Sequence, residues 1–303
     1  MTPDKAAAFS RSLRGLRERV IESLLFLAAF SSVLITLGIL GILLYESLGF
    51  FKQVSLFDFL TDTQWTPLFD DAHYGILPLL SGTLVTTIIA LCVAIPIGTI
   101  TAIYLSEYAS YRVREIIKPM LELLSAVPTV VYGYFALLYV TPLLQWLIPD
   151  LPGFNMLSAG LVIGVMIIPY VSSLSEDAIR AVPMHIREGS YAMGATRLIT
   201  ALRVVVPSAF SGIAAAYILA ISRALGETMV VAIAAGMQPN FTWKATEPAA
   251  TITAYIVQVS LGDVPHGTLG YQTIFVAGLT LLVITLAFNI IGFMLRKRFR
   301  EIY

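Results

Sequence analysis

Two charges stand in the middle of an otherwise apolar run, AAAYILAISRALGETMVVAIAAG (residues 214–236): Arg223 and, four positions on, Glu227. On a continuous helix, i and i+4 share a face, so the carboxylate can reach the guanidinium. The guanidinium is a planar fork of donors suited to the oxygens of an oxyanion, and the hydroxyls of Ser222 and Thr228 flank the pair. Such hydroxyls in apolar helices also bond their own backbone. A charge at the centre of a membrane helix costs about 2.5–3.5 kcal/mol on insertion scales, so its presence asks for a reason. Mutual neutralisation is one reading, although two apolar residues would serve structure as well or better. The other is a substrate pathway: an anion crossing an apolar barrier needs a compensating cation, which Arg223 supplies while Glu227 orients it or keeps the empty path neutral.

Whether the run lies in lipid is decided by composition. The chain has 303 residues, 57% hydrophobic and only 13% charged, with a mean hydropathy of +0.83, far from the balance of soluble domains. Stretches free of Asp, Glu, Lys and Arg run over 23–45, 72–106, 123–149, 151–175, 204–222 and 264–295. Since roughly 20 apolar residues cross a bilayer core, these predict an all-α polytopic protein with six spans. The predicted helices lie near 21–45, 76–106, 120–147, 156–180, 208–237 and 270–295. A helix starting at Ser208 carries Arg223 about 22 Å along, near mid-membrane.

Basic residues gather at one set of ends: Lys5, Arg11, Arg14, Arg17 and Arg19; Arg112, Arg114 and Lys118; Arg180, Arg187, Arg197 and Arg203; Arg296, Lys297, Arg298 and Arg300. The other ends hold Lys52 and Lys244 among many acids. Cytoplasmic loops carry the excess of Lys and Arg, so both termini are expected inside. The expected layout is a basic arm (1–20) and one integral domain (21–303), with outer segments 46–75 and 238–269 and an inner loop 183–207. The first span is too long for a signal h-region and is expected to be retained. Trp65 and neighbouring Phe residues suit the outer interface, and 248–263, opening at Pro248, predicts a half-helix too short to span. Pro96, Pro128, Pro142 and Pro169 are expected to kink or break helices. Cys92 reads as core packing and His73 as a satisfied interfacial histidine. Glu107, Glu122, Glu176 and Asp177, near inner ends, read as solvated or capping carboxylates. No Gly-Lys pair exists to build a nucleotide phosphate loop, and 3 His with 1 Cys, scattered, make neither a metal cluster nor a catalytic constellation. No cofactor and no nucleic-acid partner are expected.

The inner loop reads PMHIREGSYAMGATRLITALRVVVP. Its middle predicts a short amphipathic helix, with Ile186, Tyr191, Ala192, Ala195 and Ile199 opposed to Arg187, Glu188 and Arg197. By itself that is an ordinary connecting helix at the membrane surface. The spacing from Glu188 to Gly194 and on to Val204, Val206 and Pro207 resembles the EAA loop of bacterial ABC importer permeases, with Gly189 and Ser190 where that loop has two alanines. The resemblance implies a coupling helix that docks in a groove on an ATPase subunit, through Arg187, Glu188, Gly189, Ser190, Ala192, Gly194, Ala195 and Arg197. Small residues, Gly194 among them, would allow close approach. Further stretches, YGILPLLSGTLVTTIIALCVAIPIGTITAIYLSEYA (74–109), KPMLELLSAVPTVVYGYFAL (118–137) and SRALGETM (222–229), are similar to phosphate-specific ABC transporter permeases of the PstC type. That similarity implies one half of a heterodimeric membrane domain in the bacterial inner membrane. Its partners would be a second, PstA-like permease, a PstB-like ATPase dimer and a PstS-like periplasmic binding protein. The solute would be inorganic phosphate, passing Arg223, Glu227, Ser222 and Thr228. Glu227 could then accept a hydrogen bond from protonated phosphate. Open alternatives are a permease for sulfate or molybdate, or a secondary anion transporter acting alone.

Overall fold

The computed structural model describes residues 3–298, with side chains from residue 18 onward, so the side chains of Lys5, Arg11, Arg14 and Arg17 fall outside it, as does Arg300. The elements are α1 (Pro3–Phe51), α2 (Leu56–Thr61), α3 (Leu77–Ile103), α4 (Tyr111–Ala126), α5 (Thr129–Phe135), α6 (Thr141–Leu147), α7 (Met156–Arg180), α8 (Met184–Ala192), α9 (Arg197–Thr200), α10 (Val206–Ser208), α11 (Phe210–Leu225), α12 (Met229–Ala234), α13 (Ile252–Ser260) and α14 (Leu269–Arg298). Single π turns, Tyr104–Tyr108, Ala136–Val140 and Ala201–Val205, extend α3, join α5 to α6 and join α9 to α10. Among the described residues, five stretches are long and apolar enough to cross a membrane: Glu18–Phe51, Leu77–Tyr108, Thr129–Leu147, Met156–Arg180 and Leu269–Arg298. A sixth exists if Arg197–Ser208 and Phe210–Leu225, bent by 72°, count as one span.

Two predicted spans are corrected. The third starts at Thr129 and not near residue 120, because Val127 and Pro128 are extended (ψ 130 and 135), as the residue before a proline prefers. The preceding α4 is a separate amphipathic helix, begun by Ser110, whose hydroxyl accepts from Val113 N at 3.5 Å. The fifth, expected over 208–237, is broken after Leu225. Of the four prolines, Pro96 and Pro169 sit inside continuous helices, whereas Pro128 and Pro142 stand at helix starts, where the missing N–H costs nothing.

The parallel pair α3 and α7 forms the centre of the bundle, with Gly160, Gly164 and Val171 meeting Ile89, Val93 and Gly98 in the same order. A Cβ on Gly160 would lie 2.7 Å from Ile89 Cβ, and one on Gly164 would lie 2.7 Å from Val93 Cβ and 2.8 Å from Ala90 O. This Gly-x-x-x-Gly stripe lets the two backbones meet, the usual route to helix association where lipid removes the hydrophobic drive. At the periphery, α1 turns apolar side chains outward from Val20 to Leu48, as a helix facing lipid does. It runs antiparallel to α14, with Gln272 Nε2 3.3 Å from Glu46 Oε2. The amino-terminal end of α1 and the carboxyl-terminal end of α14 therefore share one end of the bundle. Arg180, Arg187, Arg197, Arg296 and Lys297 lie there too, a basic end opposite the acidic segments 46–75 and 238–269.

The opposite end is closed by an aromatic cap. Trp65 is only 2% exposed, and its ring meets Phe59 and Tyr255 edge-on at 6.3 and 5.1 Å. The interfacial placement expected for Trp65 is thus corrected, because the re-entrant α13 brings Tyr255 over it. His73 Nδ1 lies 2.9 Å from Asp62 Oδ2. That hydrogen bond raises the His73 pKa against a small burial penalty, while burial pushes Asp62 up and is outweighed by His73, leaving its carboxyl below the usual value. Cys92, read as core packing, is exposed on the flank of α3.

If the glycine stripe sets the approach of α3 and α7, Gly164→Leu should force them apart. The expected cost is about 1–3 kcal/mol, typical of overpacking. It should appear as a lower thermal midpoint of the purified permease, while Gly153→Leu, where nothing lies within 4 Å of a new Cβ, leaves that midpoint in place.

Candidate functional site

The span carrying the opening charges stops between them. Helix α11 ends at Leu225, and α12 begins at Met229. Gly226, a poor helix former, takes the break and donates its N–H to Ser222 O at 3.2 Å, and Glu227 N–H reaches Ala224 O at 3.2 Å. The Glu227 carboxylate starts the next helix, accepting from Val230 N at 3.4 Å. Its carbonyl accepts from Thr253 Oγ1 of α13 at 2.7 Å. The N-terminus of α13 is held in turn by Thr251, whose hydroxyl accepts from Ala254 N at 3.2 Å, and by Thr83 Oγ1 of α3, which accepts from Ile252 N at 3.0 Å. A gap in a membrane helix is thereby closed by a hydroxyl of α13, which is itself held by a hydroxyl of α3.

This geometry overturns the shared-face reading of the pair. Glu227 is 5% exposed, and among the described residues no ion pair joins it to Arg223. The break rotates it off the helix that carries Arg223. The guanidinium of Arg223 stands 5.5 Å over the ring of Tyr170 on α7 and is exposed to a cavity of about 510 Å³ lined by Tyr170, Leu174, Leu219, Ser222, Arg223 and Gly226. A second cavity, about 190 Å³, shares Tyr170 and Leu174 and adds Glu122, Ser125, Pro169 and Ser173. Of the four sequence-chosen residues, Arg223 and Ser222 line the cavity; Ser222 Oγ also accepts from Asn289 Nδ2 at 3.2 Å. Glu227 and Thr228 do not, and the Thr228 hydroxyl is spent on Gly226 O at 3.2 Å. Tyr170 went unnoticed in the sequence, although a tyrosine following Pro169 inside an apolar run was a visible polar mark. An aromatic face stabilises a cation without neutralising it, so the arrangement offers a net positive charge to an oxyanion.

At the basic end, the segment 183–207 also departs from expectation. Instead of one helix through residue 199, α8 ends at Ala192, and Gly194 takes a left-handed turn (φ 80), with Gly194 N–H bonding Tyr191 O at 2.9 Å and Ala195 N–H bonding Ser190 O at 3.2 Å. This is the helix C-terminus that glycine favours. Glu188, Gly189, Ala192, Gly194 and Arg197 face outward, beside exposed Met184, Met193 and Leu198. Ser190 bonds Thr200 Oγ1 at 2.9 Å, Ala195 is half-buried, and Arg197 lies 5.3 Å over the Tyr108 ring. Arg187, expected on the polar face, is 9% exposed and turned inward to Glu107, with Nη2 3.0 Å from Oε1. Glu107 and Glu176 are accordingly no solvated caps. Glu176 is fully buried, 2.8 Å from both Arg114 Nε and Lys118 Nζ, which ties α4 to α7.

Residues 94–301 match the family described as binding-protein-dependent transport system inner membrane component. The probable ABC transporter permease protein YqgH of Bacillus subtilis is 34% identical over 282 residues, 92% of this chain and 90% of that protein. The phosphate transport system permease protein PstC of Xylella fastidiosa is 30% identical over 302 residues, covering 93% and 91% of the two chains. The probable PstC of Methanocaldococcus jannaschii is 30% identical over 295 residues, covering 90% and 92%. Among solved structures, a chain of a bacterial ABC transporter involved in import of the acidic polysaccharide alginate aligns with a TM-score of 0.62 at 18% identity, over 90% of this chain and 96% of that one. A chain of the inward-facing MetNI methionine ABC transporter gives 0.54 at 16%, over 75% and 95%. At those identities the structures show a shared fold.

The break predicts opposite solvent access for the two charges. In a Cys92→Ser background, a cysteine replacing Arg223 should react with a water-soluble thiol reagent, while one replacing Glu227 should be protected. Equal labelling of the two positions would contradict the geometry.

Proposed function

The chain belongs to the family of binding-protein-dependent transport system inner membrane components, and we propose that it is the PstC-type permease subunit of an ATP-driven phosphate importer. It is a multi-pass membrane subunit whose relatives are permeases of ABC transporters, not enzymes. Such permeases work with a separate ATPase, a binding protein and a second permease. In the proposed assembly these are PstB-like, PstS-like and PstA-like in turn. The basic end faces the cytoplasm of a bacterial inner membrane, as the positive-inside rule asks.

The observation that carries the reading is Arg223, a cation exposed to a cavity at the break of a span. A phosphate dianion in an apolar passage needs that charge, and the guanidinium fork suits its oxygens. Ser222 adds a hydroxyl on the same wall. Tyr170 holds the guanidinium while the path is empty and yields it to the anion. Glu227 maintains the break by capping α12, and Thr228 stays with the backbone. At the basic end, the outward residues Glu188, Gly189, Ala192, Gly194 and Arg197, with Met184, Met193 and Leu198 around them, form the surface that meets the ATPase; Ser190 and Ala195 shape it from beneath.

Three measurements test this reading in the assembled transporter. Arg223→Gln should leave assembly and basal ATP hydrolysis intact while phosphate uptake falls by roughly a hundredfold or more, the order of losing one charge-assisted contact at a desolvated site. Normal uptake at normal expression would refute the pathway. Glu227→Gln keeps an oxygen for Val230 N–H and should retain most uptake; a loss as deep as that of Arg223→Gln would give Glu227 a direct part in the passage.

At the Gly194 turn, Asn adds little strain and little bulk, whereas Trp adds both. Asn tolerates the left-handed region and Trp does not, and nothing lies within 4 Å of a Cβ at this position. Both Gly194→Asn and Gly194→Trp should insert normally. Only the latter should lose the ATPase on co-purification, and retention by both would argue against docking here.

A further inference from the structure

Arg187 stands out because it belongs to the segment read as the ATPase dock yet points into the protein. Its one planar group reaches three places. Nη2 and Nε lie 3.0 and 3.3 Å from Glu107 Oε1, in the π turn that ends α3. Nη2 also donates to Ile179 O at 2.9 Å, and Nη1 donates to Val182 O. Ile179 is in the last turn of α7, and Val182 follows that helix. Other moorings of α8 are sparse: Ile186 packs against the cluster of Ala102, Ile179, Val182 and Val205, and Ser190 meets Thr200. The α8 helix is thus fastened to α3 and α7 chiefly through a directional, charge-assisted fork in a buried setting.

A buried ion pair is weak evidence for stability, because well-packed apolar residues often do as well. What it supplies here is a fixed geometry between three elements. Helix α7 is continuous from Met156 to Arg180, and Tyr170 precedes Ile179 by about 13 Å along its axis. Tyr170 is the residue over which Arg223 stands. An unbroken line of rigid parts therefore leads from α8, through the Arg187 fork, to the carbonyls at the end of α7, and along α7 to the cavity wall. The π turn Tyr104–Tyr108 is a local distortion of a helix that places Glu107 at the same junction.

We propose that the Glu107–Arg187 ion pair is the tie through which movement of α8 reaches the Arg223 cavity, with Arg187 as a positioning residue for coupling. The proposal rests on reading 183–207 as the ATPase dock. In the complete transporter in proteoliposomes, a Glu107→Gln, Arg187→Met double variant removes the fork without leaving a lone buried charge, and Arg187→Lys keeps the charge but cannot span the three acceptors at once. The readouts are ATPase retained on purification, basal hydrolysis, hydrolysis stimulated by phosphate-loaded binding protein, and phosphate uptake.

The expected result is unchanged retention and basal hydrolysis, with the stimulated-to-basal ratio and uptake down about tenfold in the double variant, the order of effect for a residue on a coupling network. Arg187→Lys should fall between. Wild-type stimulation and uptake in the double variant would overturn the tie. So would loss of ATPase in proportion to uptake, since the pair would then merely shape the dock. Failure of the unsubstituted chain to retain an ATPase would overturn the docking reading itself, and the tie with it.

Discussion

A backbone group without a hydrogen-bond partner costs several kcal/mol in hydrocarbon, and this protein interrupts a span in spite of that. The interruption at Gly226–Thr228 is possible because Thr253 donates to the Glu227 carbonyl and the Glu227 carboxylate receives Val230 N–H. Thr253 can do so only because α13 folds back into the bundle. That return is possible because Thr83 receives the first N–H of α13, and because Gly82 lacks a Cβ that would strike the carbonyl of Ala250. The aromatic cap then closes over α13 through the Trp65–Tyr255 contact. The acidic end of the molecule is thus built around one gap in one helix, and the gap leaves Arg223 on a cavity lined by the Tyr170 ring, with the carboxylate of Glu122 in the adjoining cavity.

The contrast between the charges follows from the same economics of solvation. Glu107 with Arg187, and Glu176 with Arg114 and Lys118, are ion pairs at the basic end. Each joins separate elements where a charge left alone would be costly. Arg223, like Arg197 over Tyr108 at the basic end, is offered a π face in place of an anion. A fully paired arginine would have little left for a passing solute, and a bare one would carry a larger solvation penalty. A cation–π contact, worth about 0.5–2 kcal/mol, is an intermediate hold that a doubly charged ligand can displace.

Much of the fold was legible in the sequence, and the failures share a cause. The fourth span was placed at 156–180, where α7 runs from Met156 to Arg180, because a long uncharged apolar run marks it. The short helix expected over 248–263 formed, but as Ile252–Ser260 and not from Pro248, because Ala249 pairs with Gly236 in a bridge and Thr251 caps the helix. Errors arose where hydropathy is blind to backbone breaks: the Val127–Pro128 junction divides a run that reads as one span, and Gly226 divides another. The importance of Arg223 was readable from its isolation in an apolar run. Its partner was not, since i+4 spacing points to Glu227 only if the helix continues. Arg187 and Glu107 are 80 positions apart, and no local pattern distinguishes a buried arginine on an amphipathic helix from an exposed one. Trp65 looked interfacial because its burial depends on Tyr255, far along the chain.

The distribution of rigidity bears on how such a molecule could work. Helices α3 and α7 meet through glycines at backbone distance, a close-packed contact that resists sliding. Helix α4 is joined to α7 by the charges around Glu176, and its own residues are not buried. Helix α8 is held by Ile186 and the Arg187 fork. The parts with thin attachment therefore lie at the basic end, and the well-packed pair runs from that end up to the cavity wall. A force applied at the basic end would move α4 or α8 with little repacking, whereas the α3–α7 pair would respond as a unit. Any shift of α7 relative to α11 must alter the contact between Tyr170 and Arg223, because each helix supplies one member of it. Access to the cation is accordingly set by helix position, with no rearrangement required within either helix.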